Sequence, residues 1–146
     1  MAALDALARR DHPSVELRRR LVDRGFDTEI AERVVAGLVA EKLVDDGRYV
    51  ENLIAYRAGR GQGPLRVRTD LRRAGVDAAL VDEGIERYEG WFTALEAARR
   101  KKFGASRPQA YAERMRQERF LSYRGFTSAQ IHSVLGSGVD IEDWAT

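Results

Sequence analysis

A chain of 146 residues, with 44% apolar and 33% charged side chains, is long enough to bury roughly two-thirds of its unfolded surface as one soluble protein. Its 25 basic and 23 acidic residues leave a formal charge of +2, too little for a global field that draws the chain to polyanions. The lack of cysteine excludes disulfides and thiolate metal centres. "MAALDALARRDH" has no apolar h-region and no run reaches bilayer length, so neither a signal peptide nor a membrane span is expected.

No sustained two-residue alternation appears, whereas apolar residues recur at helical spacing, so the chain reads as all-α. About nine helices are expected. The first three run over about 2–10, 14–24 (Leu17, Leu21) and 28–41 (Val34, Val35, Leu38). The next cover 46–59 (Tyr49, Val50, Leu53, Ile54), 64–74 and 78–89, and the last 90–103, 108–124 and 128–136. Pro13, Pro64 and Pro108 each fall near the start of a middle helix, where a missing N–H costs nothing.

These nine helices form three tandem copies. Gly25, Gly75 and Gly125 are fifty residues apart, preceded by Leu21, Leu71 and Leu121 and followed by Phe26, Val76 and Phe126. Asp27, Asp77 and Thr127 come next, each suited to cap a helix, and Thr127 with Gln130 makes a capping box. Val35, Ile85 and Leu135 keep the register in the following helices. Each glycine therefore ends a middle helix in the left-handed conformation. Three three-helix repeats result, 1–44, 45–89 and 90–146, and their small separate cores imply stacking into an elongated, curved array.

Few residues offer catalytic or metal chemistry. His12 and His132 are far apart in sequence and read as structural or surface groups. Of Asp45 and Asp46, followed by Arg48, one or the other reads as the cap of the next helix rather than a metal ligand, because no second acidic cluster accompanies them. Gly59, Gly61 and Gly63 lack the Gly-Lys-Ser/Thr ending of a phosphate loop and follow a helix instead of a strand. They read as a turn between helices. No cofactor, metal or enzymatic activity is expected.

The arginines are the functional candidates. All basic residues but Lys42, Lys101 and Lys102 are Arg, the side chain best suited to bidentate pairing with carboxylates or phosphates. On helix 64–74, Val67, Leu71 and Ala74 share a core-facing stripe; Arg72 lies opposite, Arg68 and Arg73 flank the outside, and Arg66 sits nearer the boundary. Arg57 and Arg60 precede this helix. The first repeat carries Arg18, Arg19, Arg20 and Arg24 on its middle helix, and the third Arg114, Arg116, Arg119 and Arg124. Acidic residues gather instead on the third helices, at Glu29, Glu32, Asp82, Glu83 and Glu86. One-sided basic helices suit nucleic acid or an acidic protein groove. Stacking aromatics are scarce on the middle helices of the first two repeats, so a protein surface is at least as good a target as naked nucleic acid.

"ALARRDH", "ELRRRL", "RGF", "LVDDGRYV", "GQGPLRVRTDLRRAGV" and "ERFLSYRGFTSAQI" resemble, in order and spacing, the RecX regulatory proteins of bacteria, over nearly the whole chain. The resemblance implies a fold of three-helix repeats and a cytoplasmic, monomeric, non-enzymatic protein. It would bind the RecA recombinase filament on single-stranded DNA and inhibit strand exchange, ATP hydrolysis and coprotease activity. On this reading Arg57, Arg60, Arg66, Arg68, Arg72 and Arg73 contact acidic protomer surfaces or DNA phosphates, with Arg18, Arg19, Arg20, Arg116 and Arg119 beside them. Pro13 departs from the family, which commonly has Ser there, and the chain opens almost directly on the first motif. The alternative is a helix-turn-helix regulator that binds DNA directly through the same Arg-rich helix.

Overall fold

The structure, a computed structural model, describes residues 12–136. Among them are eight α-helices and no strand: α1 Ser14–Asp23, α2 Thr28–Ala40, α3 Asp46–Gly59 and α4 Pro64–Arg73 are followed by α5 Ala78–Arg87, α6 Trp91–Phe103, α7 Tyr111–Tyr123 and α8 Ser128–Leu135. The helix expected at 2–10 lies outside the described residues. The chain is thus all-α, with helices where the periodicity puts them. Two compact units are present, one made of Met1–Leu53 with Asp70–Glu86 and the other of Ile54–Thr69 with Arg87–Thr146.

All three periodic glycines close their helices in the same way. Gly25, Gly75 and Gly125 have φ of 97°, 85° and 100°. After α1, the Gly25 N–H donates to the Val22 carbonyl (3.0 Å) and the Phe26 N–H to Leu21 (3.1 Å). Gly75 to Arg72 with Val76 to Leu71, and Gly125 to Ser122 with Phe126 to Leu121, repeat this Schellman pairing after α4 and α7. The leucine of each repeat is therefore both a buried core side chain and the acceptor that stops the helix. Gly61, at φ 80°, forms the same corner after α3, so Gly59 is the last helical residue and Gly61 makes the turn. Lys42 occupies this position after α2 at φ 60°.

In the first unit α1 packs on α2, and Leu17, Leu21, Ala31, Val35, Leu38 and Val44 form a buried cluster. Pro13 has no side-chain cap to offer α1. Asp46 substitutes for it, accepting from the Ser14 N–H (2.7 Å) and hydroxyl (2.6 Å). Asp45 caps α3 by accepting from the Arg48 N–H, so the two acids divide between two helix starts. Asp77 accepts from the N–H groups of Ala79 and Leu80, and the Thr127–Gln130 capping box forms as expected. Asp27 is at the cap position of α2 but makes no side-chain cap bond.

In the second unit α7 packs against α6 and α8. Here the start of α4 meets the end of α7. The Gly63 N–H donates to the Arg124 carbonyl (2.8 Å) and the Leu65 N–H to Gly125 (2.9 Å), on either side of Pro64, which has no N–H. A Cβ on Gly63 would lie 2.3 Å from the Gly125 carbonyl carbon, so only glycine allows this approach. The glycine-rich stretch is a junction between helices, and these amides are already committed to carbonyls.

Pro108 does not start a helix. Residues 104–110 form a connector, and α7 begins at Tyr111 with Ala110 extended before it. Arg99 explains the delay. Its side chain is 1% exposed and donates to the carbonyls of Ala105 and Ser106, fixing the connector in irregular form. Glu96 neutralises it through Oε1 at 2.6 Å and Oε2 at 3.2 Å and also accepts from Arg100. The hydrogen bonds from Arg99 do most to hold the Glu96 carboxyl below its ordinary pKa; burial opposes them, and the Arg100 hydrogen bond and the charges of both arginines add to the depression.

Alanine at Gly125, where a Cβ would lie 2.5 Å from that of Arg66, should cost about 1–3 kcal/mol in urea unfolding, and Gly63→Ala a similar amount. Gly25→Ala meets no atom within 4 Å and should cost only the left-handed strain, about 1 kcal/mol. Because the Glu96 pKa is depressed on folding, its stabilisation is complete above the ordinary carboxylate range and is lost as pH falls through its folded-state value. Acid titration of stability should therefore be shallower in Glu96→Gln than in the parent chain, with the two curves converging at low pH.

Candidate partner-binding site: a basic cleft

The second unit contains a cleft of about 640 Å³. Its floor is made of small residues, because Ala94, Ala97 and Ala98 lie one turn apart on α6 and face Ala58, Gly59 and Gly61 at the end of α3. A Cβ at Gly61 would approach the Ala98 Cβ to 3.2 Å and Arg124 Nη2 to 3.1 Å, so the corner glycine also keeps this floor open. Tyr88 forms part of the wall, set edge-on to Trp91 with centroids 4.8 Å apart and tucked against Gly90.

Among the described residues four cations line the cleft, Arg60, Lys101, Lys102 and Arg124, and no Asp or Glu does. Lys101 and Lys102 follow the alanines by one helical turn, Arg60 comes from the corner after α3, and Arg124 caps α7. Arg124 Nη2 donates to the Arg60 carbonyl at 3.0 Å, tying the two corners together. The Phe120 ring, itself edge-on to Phe103, takes both the Lys102 ammonium (5.6 Å) and the Arg124 guanidinium (5.7 Å). Each cation–π contact is worth about 0.5–1 kcal/mol at an exposed site, enough to orient a side chain that remains open to a ligand. An apolar floor ringed by cations recognises carboxylates or phosphates attached to something flat or apolar.

The structure places the expected arginines in different surroundings. Arg60 lines the cleft and lies over the Tyr56 ring; Arg66, half-buried, lies 5.3 Å over the Tyr123 ring in the same unit. Arg57 and Arg68 are also half-buried in that unit, so Arg68 does not flank the outside of α4. Arg72 and Arg73 are exposed and belong to the first unit. There too are Arg18, Arg19 and Arg20 on the exposed side of α1, with Arg20 paired to Glu16 at 3.2 Å. Arg18 lines a second cleft of about 520 Å³ beside Glu32, Asp46 and Asp77, an environment of mixed charge. Arg116 pairs with Glu113 at 3.5 Å and covers Phe103, while Arg119 borders a small pocket with Glu118 and His132.

Lys101 and Lys102 were not among the expected residues, although they end the longest cationic run in the chain, Arg99-Arg100-Lys101-Lys102. Consecutive cations are the signal for them, because a search for one-sided helices passes over a run that wraps around α6. His12 is buried with Nδ1 3.1 Å from Glu16 Oε1, and His132 is exposed with Nε2 3.2 Å from Glu118. Among the described residues no three metal-ligating side chains gather.

Three family profiles match the chain: the first three-helix domain of RecX over residues 1–38, the second over 45–85 and the third over 89–135. Curated relatives include the regulatory protein RecX of Pseudomonas entomophila (strain L48), 41% identical over 97% of this chain and 91% of its own length. That of Pseudomonas fluorescens (strain SBW25) is 42% identical with the same coverage, and that of Halorhodospira halophila (strain DSM 244 / SL1) is 41% identical over 90% of this chain and 83% of the relative. A crystal structure of a regulatory protein RecX superposes with a TM-score of 0.74 at 20% identity, covering 90% of this chain and 68% of that one.

Proposed function

The chain belongs to the RecX family of regulatory proteins, and we propose that it is a non-enzymatic, cytoplasmic regulator that binds the RecA–single-stranded DNA filament and limits recombinase activity. The observation that carries this reading is the cleft, where Arg60, Lys101, Lys102 and Arg124 surround an apolar floor without an acidic residue among the described lining. A chain of net charge +2 has little general attraction for polyanions, so its affinity must come from a local concentration of cations. A nucleoprotein filament offers both kinds of matching anion, phosphates on the strand and carboxylates on the protein. Arg66, Arg68 and Arg57 extend the basic surface of the same unit, and Arg72, Arg73, Arg18 and Arg19 supply cations on the other.

Binding of this kind acts through differential affinity. A regulator that prefers one filament state shifts the assembly toward that state without any bond being made or broken. Inhibition of strand exchange, ATP hydrolysis and coprotease activity then has one cause, namely a change in the filament that performs all three.

Adding the protein below RecA stoichiometry should lower the RecA ATPase rate on single-stranded DNA, and an unchanged rate at saturating binding would overturn the proposal. Lys101→Ala/Lys102→Ala should weaken binding to RecA-coated strand by about tenfold, roughly 1.4 kcal/mol for two exposed charges, with thermal stability lowered by no more than the lost Lys102–Phe120 contact. Equal or tighter binding to bare duplex would favour direct DNA regulation instead.

A further inference from the structure

The start of one middle helix is seated on the glycine corner of the next repeat at two places. In the second unit, Gly63 and Leu65 at the start of α4 bond to Arg124 and Gly125, and Phe126 is left only 1% exposed. In the first unit, Val15 at the start of α1 lies 3.3 Å from where a Cβ on Gly75 would stand, and Val76 is 6% exposed. Among the described residues the remaining corner has no such neighbour. A Cβ on Gly25 would meet nothing within 4 Å, and Phe26 is 44% exposed, with Val22 and Ile30 exposed beside it. The remaining helix start is equally bare: Tyr111 and Ala112 of α7 and Ala110 just before it are all exposed.

We propose that these two ends belong together across molecules, the start of α7 in one copy seating on the Gly25–Phe26 corner of another. The match is specific in register. Ala112 holds the second helical position in α7, as Val15 does in α1 and Leu65 in α4. Ala110 carries a Cβ where Gly63 has none, so the contact follows the Val15–Gly75 form, side chain against glycine, rather than the closer backbone pairing. Its polarity is favourable, because the N–H end of α7 would approach the carbonyl end of α1. The contact is heterologous: each copy has one corner and one helix start, so a third copy can add to a pair. A patch this small is below the area of a stable interface, so free copies associate weakly. Copies held side by side on a common polymer would associate strongly through effective concentration, a consequence that rests on the filament reading although the contact itself does not.

The cysteine-free chain allows a direct test without RecA or DNA. Phe26→Cys and Ala112→Cys, mixed and treated with a short bis-maleimide, should give heterodimers well above the yield from either variant alone. The double variant should give a ladder of oligomers. Ile30→Cys provides the same test should Phe26→Cys fail to fold. The proposal is overturned by yields no higher than those with exposed Ala129→Cys in place of Ala112→Cys, or by homodimers of Phe26→Cys alone matching the mixture. Failure here leaves RecA inhibition untouched, and loss of RecA inhibition leaves the ladder untouched.

Discussion

A helix leaves donors unsatisfied where it starts and acceptors where it ends, and in the second unit those deficits cancel one another. The N–H groups on either side of Pro64 reach consecutive carbonyls at Arg124 and Gly125, joining the start of α4 to the end of α7 across sixty residues of sequence. Opposite helix-dipole ends meet there as well. The cleft depends on this junction, since Arg124 belongs to it and the Arg60 carbonyl accepts from Arg124. Gly61, two residues before the junction, keeps both the corner and the cleft floor clear of side chains.

The basic residues divide according to what else they touch. Arg99 is wholly structural, buried and neutralised by Glu96 while it holds a connector in place. Arg20 and Arg116 pair with acids on their own helices, a use worth little energy at the surface. Lys102 and Arg124 instead rest on Phe120, which fixes their direction without cancelling their charge. A cation on an aromatic face still has an unmatched charge to offer a ligand, and the cleft collects such groups.

Much of the fold was legible because it rests on local chemistry repeated three times. Leucine, glycine, a bulky apolar residue and a capping residue at a spacing of fifty specify helix, stop and restart, and the structure places all three corners accordingly. The start of α7 was misplaced because Pro108 suits the first turn of a helix, whereas the carbonyl contacts that keep its connector irregular come from Arg99, nine residues earlier. The site was less legible for the same kind of reason. A wheel projection ranks Arg68 as outward, but packing around α4 leaves it half-buried. Lys101 and Lys102 gain meaning only when Arg60 and Arg124 arrive from other helices, and no periodicity within α6 announces that meeting.

Reciprocal satisfaction at the Gly63–Arg124 junction also has a kinetic side. Helix ends ordinarily fray one at a time, each losing a turn to solvent while the rest of the protein stays folded. Here the first turn of α4 cannot loosen without stranding the carbonyls that end α7, and the last turn of α7 cannot loosen without stranding the amides that begin α4. Segments far apart in sequence are thereby bound into one opening unit, and the cleft they border is held against local breathing. For the proposed binding role this means a surface whose shape is already set, with little ordering entropy left to lose on contact.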